Sequence, residues 1–181
     1  MKSKSLLIIG ASGFFAKSIL DYILDYNFFK NVNTVLLLSR GFNKIIINKN
    51  LKKKIKIKII KADISMVKKI PFSNYVIYCA INHNYKEDYK AVCNYFRLAK
   101  KYHHKSKILF TSSGAIYGLQ PTHVNKIKEN YLLRNKRVDF YDNDKNVYSK
   151  TKLKNEEIFR KLGKTGIKVS IARCFTFVGK Y

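Results

Sequence analysis

The segment Gly10-Ala11-Ser12-Gly13-Phe14-Phe15-Ala16 constrains this chain more than any other stretch, because of what flanks it. Leu6 to Ile9 is a short apolar run that Gly10 ends, and Ala16, Ile19, Leu20, Ile23 and Leu24 then recur at helical spacing. The order is strand, tight glycine turn, helix. Glycine pairs are common in loops, but one set between a first strand and a first helix predicts a phosphate-binding turn. Gly10 permits the sharp turn, and Gly13 lets the backbone approach a pyrophosphate drawn by exposed amides and the positive end of the helix. Ala16 takes a third small position, where close helix-to-strand packing excludes larger side chains.

Further strands are predicted at Thr34 to Leu38, Lys56 to Ile60, Tyr75 to Cys79, Lys107 to Phe110 and Lys168 to Ala172. Several are nearly continuous apolar runs, which suit a parallel sheet covered on both faces. Helical patterns run from Glu87 to Tyr102 and from Val147 to Leu162, while Gly118 to Asn146 reads as an irregular, polar connection. This alternation predicts an α/β fold, a Rossmann-like doubly wound parallel sheet with helices on both faces. With 181 residues, 46% of them hydrophobic, and no internal repeat, residues 1–181 are expected to form one domain. Its ligand site should lie at the carboxyl ends of the strands, where Gly10, Ser39, Asp63, Ala80 and Ser113 fall.

The formal net charge of +26 raises nucleic acid or an anionic membrane as partners. The excess is mostly Lys, however, and runs along the whole chain. Its densest stretch, Lys52 to Lys61, alternates Ile55, Ile57 and Ile59 with Lys56 and Lys58, the period-two pattern of a half-buried strand with a solvated face. A nucleic-acid patch is therefore not the expected use of this charge. Cys79, Cys93 and Cys174 are odd in number and contain no CxxC pair, so neither a disulfide framework nor a zinc site is expected. That usage fits a reducing cytoplasm. Gly10 and Gly13 interrupt the N-terminal apolar stretch, and no segment reaches membrane-spanning length.

The segments Phe110-Thr111-Ser112-Ser113-Gly114-Ala115-Ile116-Tyr117-Gly118 and Tyr148-Ser149-Lys150-Thr151-Lys152 carry the chemistry. Lys152 follows Tyr148 by four residues in a predicted helix, so both side chains share a face. A free Tyr, with a pKa of about 10, is a poor base at neutral pH and needs nearby positive charge to stabilise its phenolate. Together with the glycine turn, these stretches resemble the extended short-chain dehydrogenase/reductases, the NAD(P)-dependent epimerase/dehydratase family. The turn is similar to the family's GxxGFxG, with Phe14 at the aromatic position and Ala16 replacing the last Gly. The others resemble its SSxxxYG and YxxxK motifs.

The resemblance implies that Tyr148 exchanges a proton with a sugar hydroxyl or ketone while hydride passes to or from a nicotinamide. Lys152 would also hold the nicotinamide ribose, and Ser113 would hydrogen-bond the reacting oxygen. The cofactor site would include Gly10, Ser12, Gly13, Phe14, Phe15 and Ala16, together with Ala80 at the end of the fourth strand. Asp63-Ile64 is similar to the family's Asp-hydrophobic pair near the adenine, although an acidic turn or helix cap is the alternative for Asp63. Where NAD-dependent members carry an acid after the second strand, this chain has Ser39-Arg40, which favours NADP over NAD.

Gly114-Ala115 stand where sugar-nucleotide dehydratases carry an Asp-Glu pair, so epimerisation or ketone reduction of a nucleotide sugar is expected rather than elimination of water. The segment Arg173 to Gly179 also resembles epimerases and reductases. The family's Asn in the helix before the serine segment is not matched, since Asn94 is near but offset. Members often pair through the two long helices, which predicts a homodimer. They also continue well beyond this chain's Tyr181, so most of the substrate-gripping lobe is expected to be missing. Three functions stay open: a nucleotide-sugar epimerase or ketoreductase, a nonenzymatic dinucleotide-binding module, and a basic nucleic-acid-binding protein.

Overall fold

The computed structural model describes residues 3–26, 31–119, 126–130, 143–176, 178 and 180. Its strands are β1 (Lys4–Ile9), β2 (Val32–Ser39), β3 (Lys56–Lys61), β4 (Tyr75–Tyr78), β5 (Lys107–Ser113) and β6 (Lys168–Cys174). The α-helices among the described residues are α1 (Phe14–Tyr26), α2 (Lys49–Lys54), α3 (Tyr85–Tyr102) and α4 (Asn143–Lys164). The strands form one parallel sheet in the order β3-β2-β1-β4-β5-β6. β1 therefore pairs with β2 on one side and β4 on the other. The strand order reverses there, and doubly wound sheets bind ligands at such a reversal, outside the carboxyl ends of the strands.

Burial on both faces explains the unbroken apolar runs. Leu6 and Ile8 of β1 pack with Ala16, Leu20 and Ile23 of α1, whereas Leu7 and Ile9 pack in the cluster that holds Val92 and Leu98 of α3 and Phe159 of α4. Val35 and Leu37 of β2 likewise join the first cluster, and Leu36 and Leu38 the second. Phe159 anchors the second layer, stacked on Phe110 with ring centroids 4.2 Å apart.

α3 starts two residues before the predicted Glu87. The side chain of Asn84 accepts from the N–H groups of Lys86 and Glu87, a cap that Glu87 and Asp88 in the first turn reinforce through the helix dipole. α4 also starts early, at Asn143, inside the stretch expected to be irregular; residues 120–125 and 131–142 of that stretch lie outside the described residues.

The strand predicted from Lys56 is β3, but the strand pattern read back to Lys52 does not hold: Lys52 to Lys54 close the helix α2, capped where Asn48 accepts from the Asn50 N–H at 2.8 Å. Within β3 the inward residues are Ile57 and Ile60, on opposite faces, while Ile59 is 49% exposed. β3 is the last strand on its side of the sheet, so its far half escapes the cover that enforces strict alternation. No helix among the described residues is long and apolar enough to cross a membrane. Nor do those residues group three or more His, Cys, Asp or Glu side chains as metal ligands.

Candidate functional site

The turn after β1 is built from backbone. The N–H groups of Gly10 and Ala11 both donate to Leu38 O, at 2.9 and 3.1 Å, which carries the β1–β2 pairing past the strand end. Gly10 then adopts φ +95°, and a Cβ there would lie 2.5 Å from Ala80 N. Conformation and close approach thus both exclude a side chain. Gly13 is different: a Cβ would meet only Gly10 O, at an ordinary 3.4 Å. The protein's own packing tolerates a side chain at Gly13, and the space it would occupy belongs to a cleft.

α1 springs from this turn, with the Lys17 N–H donating to Gly13 O at 3.2 Å and no acidic residue in its first turn to neutralise its positive end. Ala16 is fully buried between α1 and β1. Phe14 and Phe15 are half-buried and meet edge to face, ring centroids 5.9 Å apart.

The cleft has a volume of about 400 Å³, within the roughly 300–1,000 Å³ of small-molecule sites. It takes Gly10, Ser12, Gly13 and Ala80 from the glycine turn and switch point, and Ser39, Arg40, Asp63 and Ile64 from the ends of β2 and β3. Phe14, Phe15 and Ala16 stand outside its lining. Ser39 ties the two groups together: its Oγ lies 2.9 Å from Ser12 Oγ and accepts from the Gly41 N–H at 3.1 Å.

Arg40 Nη1 lies 3.5 Å from Asp63 Oδ2. The other oxygen of Asp63 accepts from the N–H and hydroxyl of Ser65, at 2.8 and 2.7 Å, so this residue caps its turn and walls the cleft at once. Partial burial would raise its carboxyl, but the bonds from Ser65 and the charge of Arg40 hold it below the usual carboxylate value. Lys44, which the sequence did not single out, adds a second cation to this end of the cleft.

Ser113 ends β5, and its Oγ accepts from the Ala115 N–H at 3.2 Å, capping the short 3-10 turn Gly114–Tyr117. Among the described contacts that hydroxyl serves its own turn, not Tyr148. Tyr148 and Lys152 are brought together by α4, with Lys152 Nζ 6.0 Å from the centre of the Tyr148 ring and 5.4 Å from that of Phe110. Tyr148 is half-buried, whereas Lys152 is only 4% exposed. Burial pushes the Lys152 ammonium below its ordinary value, and Asp88, Cys79 and Cys174 oppose that push.

Behind the serine segment, Arg173 of β6 donates through Nε and Nη2 to the two carboxylate oxygens of the fully buried Glu156, at 3.0 and 2.9 Å, and through Nη1 to the Tyr117 hydroxyl at 2.6 Å. Burial alone would raise the Glu156 carboxyl; the Arg173 and Arg160 bonds bring it below the ordinary range. Phe175 stacks over Tyr117, rings 6.1 Å apart, and a Cβ at Gly114 would collide with the Phe175 ring.

Asn94 turns its amide to the carbonyls of Ile64 and Val67, at 2.7 and 2.9 Å, and so holds the connection between β3 and β4 rather than facing Tyr148. The α3 residue that reaches the site is Asp88. It is 3% exposed, lines the cleft, and accepts from the Asn82 N–H at 2.8 Å and from Asn155 Nδ2 at 2.9 Å. In the sequence it reads as an ordinary acid in the first turn of a capped helix, and only the packing of α3 on α4 buries it.

The reversal of strand order, the glycine turn beneath Ala80 and the cleft beside them define a doubly wound, Rossmann-like α/β protein with a ligand-sized cleft at its switch point. The chain belongs to the NAD dependent epimerase/dehydratase family, whose sequence model matches residues 6–181. Among solved structures it is similar to the dTDP-glucose 4,6-dehydratase of Bacillus anthracis str. Ames in complex with NAD, with TM-score 0.73 and 16% identity over 99% of this chain and 57% of that one. It is similar also to RMD from Pseudomonas aeruginosa complexed with NADPH, with TM-score 0.65 and 19% identity over 98% of this chain and 55% of that one. The ADP-L-glycero-D-manno-heptose-6-epimerase of Helicobacter pylori matches with TM-score 0.58 and 18% identity, over 88% of this chain and 51% of that one. The chain thus spans little more than half the length of these structures. No curated protein matches the sequence.

Proposed function

We propose that this chain is the cofactor-binding and catalytic part of a nicotinamide-dependent enzyme that epimerises a nucleotide sugar or reduces its keto form, with NADP preferred over NAD. The observation that carries this reading is the Lys152 ammonium 6.0 Å from the centre of the Tyr148 ring, one helical turn away, in a chain whose glycine turn opens onto a cleft that neither of the two residues lines.

The residues fit such a cofactor. The turn from Gly10 to Phe15 and the positive end of α1 would receive its pyrophosphate, Ala80 would pack against it, and Asp63 with Ile64 would meet the adenine. Ser39, Arg40 and Lys44 offer a hydroxyl and two cations to a ribose phosphate, with no acid at the end of β2 to repel it. When bound there, a nicotinamide supplies hydride transfer. Tyr148 then gives a proton to, or takes one from, the oxygen on the reacting sugar carbon, and Lys152 lowers the cost of its phenolate. Ser113 hydrogen-bonds the same oxygen once substrate competes for it. Gly114 and Ala115 provide neither acid nor base, which supports hydride chemistry without elimination.

The same reading gives a cytoplasmic homodimer paired through the exposed faces of α3 and α4, which light scattering of the purified protein tests. For the function itself, the experiment is a titration with NADPH and with NADH followed by nicotinamide fluorescence, then a screen of nucleotide sugars. Tighter binding of NADPH, with turnover that Tyr148→Phe abolishes while binding persists, is the expected result. Binding without turnover of any sugar would favour a nonenzymatic dinucleotide module. Absence of binding to either cofactor would reject both.

A further inference from the structure

Tyr148 and Lys152 stand on α4 and line no part of the cleft, so the protein itself links the pair to the cleft wall only through contacts between elements. The first turn of α3 supplies two. The Tyr85 ring packs against that of Tyr148, centroids 6.3 Å apart, and one turn further on the Asp88 carboxyl accepts from Asn155 Nδ2 at 2.9 Å. Tyr85 and Asp88 share a face of α3 at a spacing of three residues, and Tyr148, Lys152 and Asn155 follow one another along a face of α4 at spacings of four and three. α3 thus seats its start on the face of α4 that carries the pair.

Asp88 belongs to the cleft wall as well, and its other oxygen accepts from the Asn82 N–H at 2.8 Å. Asn82 lies in the loop after β4, whose residues Ala80 to His83 all line the cleft. The Asn82 Oδ1 accepts in turn from the Asn84 N–H at 3.1 Å, and Asn84 caps α3, so the loop is closed on itself and fastened to the helix at one carboxyl. One oxygen of that carboxyl therefore serves the loop and the other serves α4, in a residue only 3% exposed. Asn155 is fully buried, and among the described residues its own Oδ1 has no hydrogen-bond partner. An unpaired buried carbonyl is unfavourable, and the amide keeps that orientation with its Nδ2 on Asp88.

We propose that Asp88 is a positioning residue that couples the loop walling the cleft to the helix of Tyr148 and Lys152. A ligand that orders the loop fixes Asn82, Asn82 fixes the carboxyl, and the carboxyl fixes Asn155 three residues beyond Lys152. Along the reverse path, a shift of α4 loosens the loop. The consequence for catalysis rests on the function proposed above. The coupling itself does not, because each of its hydrogen bonds is formed without a cofactor.

Amide hydrogen exchange, followed by NMR on the chain without cofactor, tests it. Among the described contacts Asn155 makes no hydrogen bond to the loop itself, yet in Asn155→Ala the Asn82 N–H should exchange at least about tenfold faster while the amides of β1 and β2 keep their rates. Unchanged exchange at Asn82 would overturn the proposal, and so would an acceleration that the strands share equally, which is a loss of stability alone. Should Asn155→Ala fail to fold, coupling is reciprocal and is read from its other end. Asn82→Pro deletes the donor at a half-buried loop position, and the Asn155 side-chain amide should then shift in the NMR spectrum. A signal that stays in place overturns the proposal. Neither measurement uses cofactor or substrate. Failure to bind NADPH would therefore remove the proposed function and leave this result intact, and the reverse holds equally.

Discussion

Arg40 and Asp63 face each other at the mouth of the cleft, Nη1 to Oδ2 at 3.5 Å, each on the end of a neighbouring strand. The Arg40 side chain is 57% exposed, so the pair contributes at most about 1 kcal/mol and the guanidinium can turn to a better anion at little cost. Arg40→Ala should weaken NADPH binding by about tenfold, near 1.4 kcal/mol, while NADH binding changes far less. Equal losses for the two cofactors, measured by fluorescence titration, would remove Arg40 from the ribose-phosphate role.

The two glycines of the turn should separate stability from binding. Gly10→Ala forces a Cβ against Ala80 at an unfavourable φ and should lower the melting temperature as well as abolish binding. Gly13→Ala meets only Gly10 O at 3.4 Å, so its melting temperature should stay close to that of the parent while NADPH binding falls at least tenfold. Calorimetry beside a titration checks both, and a Gly13→Ala variant that binds normally would place the pyrophosphate elsewhere.

His103 makes the fold sensitive to mild acid. It is fully buried, its Nε2 donates to Pro71 O at 2.9 Å, and its Nδ1 lies 3.2 Å from the Tyr95 hydroxyl, which burial keeps protonated and so able to donate. Burial lowers the imidazole below 6.5 despite the Pro71 bond. The unfolded chain therefore takes up a proton first. Stability is complete above about pH 6.5 and falls as the pH drops toward the folded value, by up to about 1.4 kcal/mol per unit. Thermal melts between pH 7.5 and 5.5 should show that slope, and His103→Gln should flatten it.

Glu156 and Arg173 form the buried ion pair that ties α4 to β6. Glu156→Gln leaves the guanidinium without its counter-charge and should cost about 3 kcal/mol, a loss of roughly 6–12 °C in melting temperature. Because the depressed Glu156 carboxyl stabilises only while ionised, its share is present above the ordinary carboxylate range and is lost as the pH falls through the folded value, well below the His103 window.

The six strands were legible because a strand buried on both faces must be apolar at nearly every position, as in Leu6 to Ile9 and Val35 to Leu38. α2 was not: it buries only Leu51 and carries Lys52, Lys53 and Lys54 in succession, so no apolar stripe announces it. The glycine turn was readable from spacing, yet the contact that makes Gly10 indispensable comes from Ala80, seventy residues away. Phe14 and Phe15 open α1 and are not among the residues that line the cleft. The pairing of Tyr148 with Lys152 followed from helical periodicity. Asp88 escaped notice because its burial is a property of two helices packing, and Asn94 drew attention that belongs to the β3–β4 connection it holds.

β3 closes one side of the sheet with exposed Lys56, Lys58 and Lys61 along a strand bonded only to β2 among the described residues. A free strand edge invites a second molecule to extend the sheet, and a row of ammonium groups makes that approach repulsive. The net charge of +26, which first reads as an appetite for nucleic acid, is on this side of the molecule a barrier to self-assembly. The barrier reaches only as far as the screening length allows, about 10 Å at roughly 0.1 M salt and about 3 Å at roughly 1 M salt. Concentrated salt should therefore drive further association of the protein along the β3 edge.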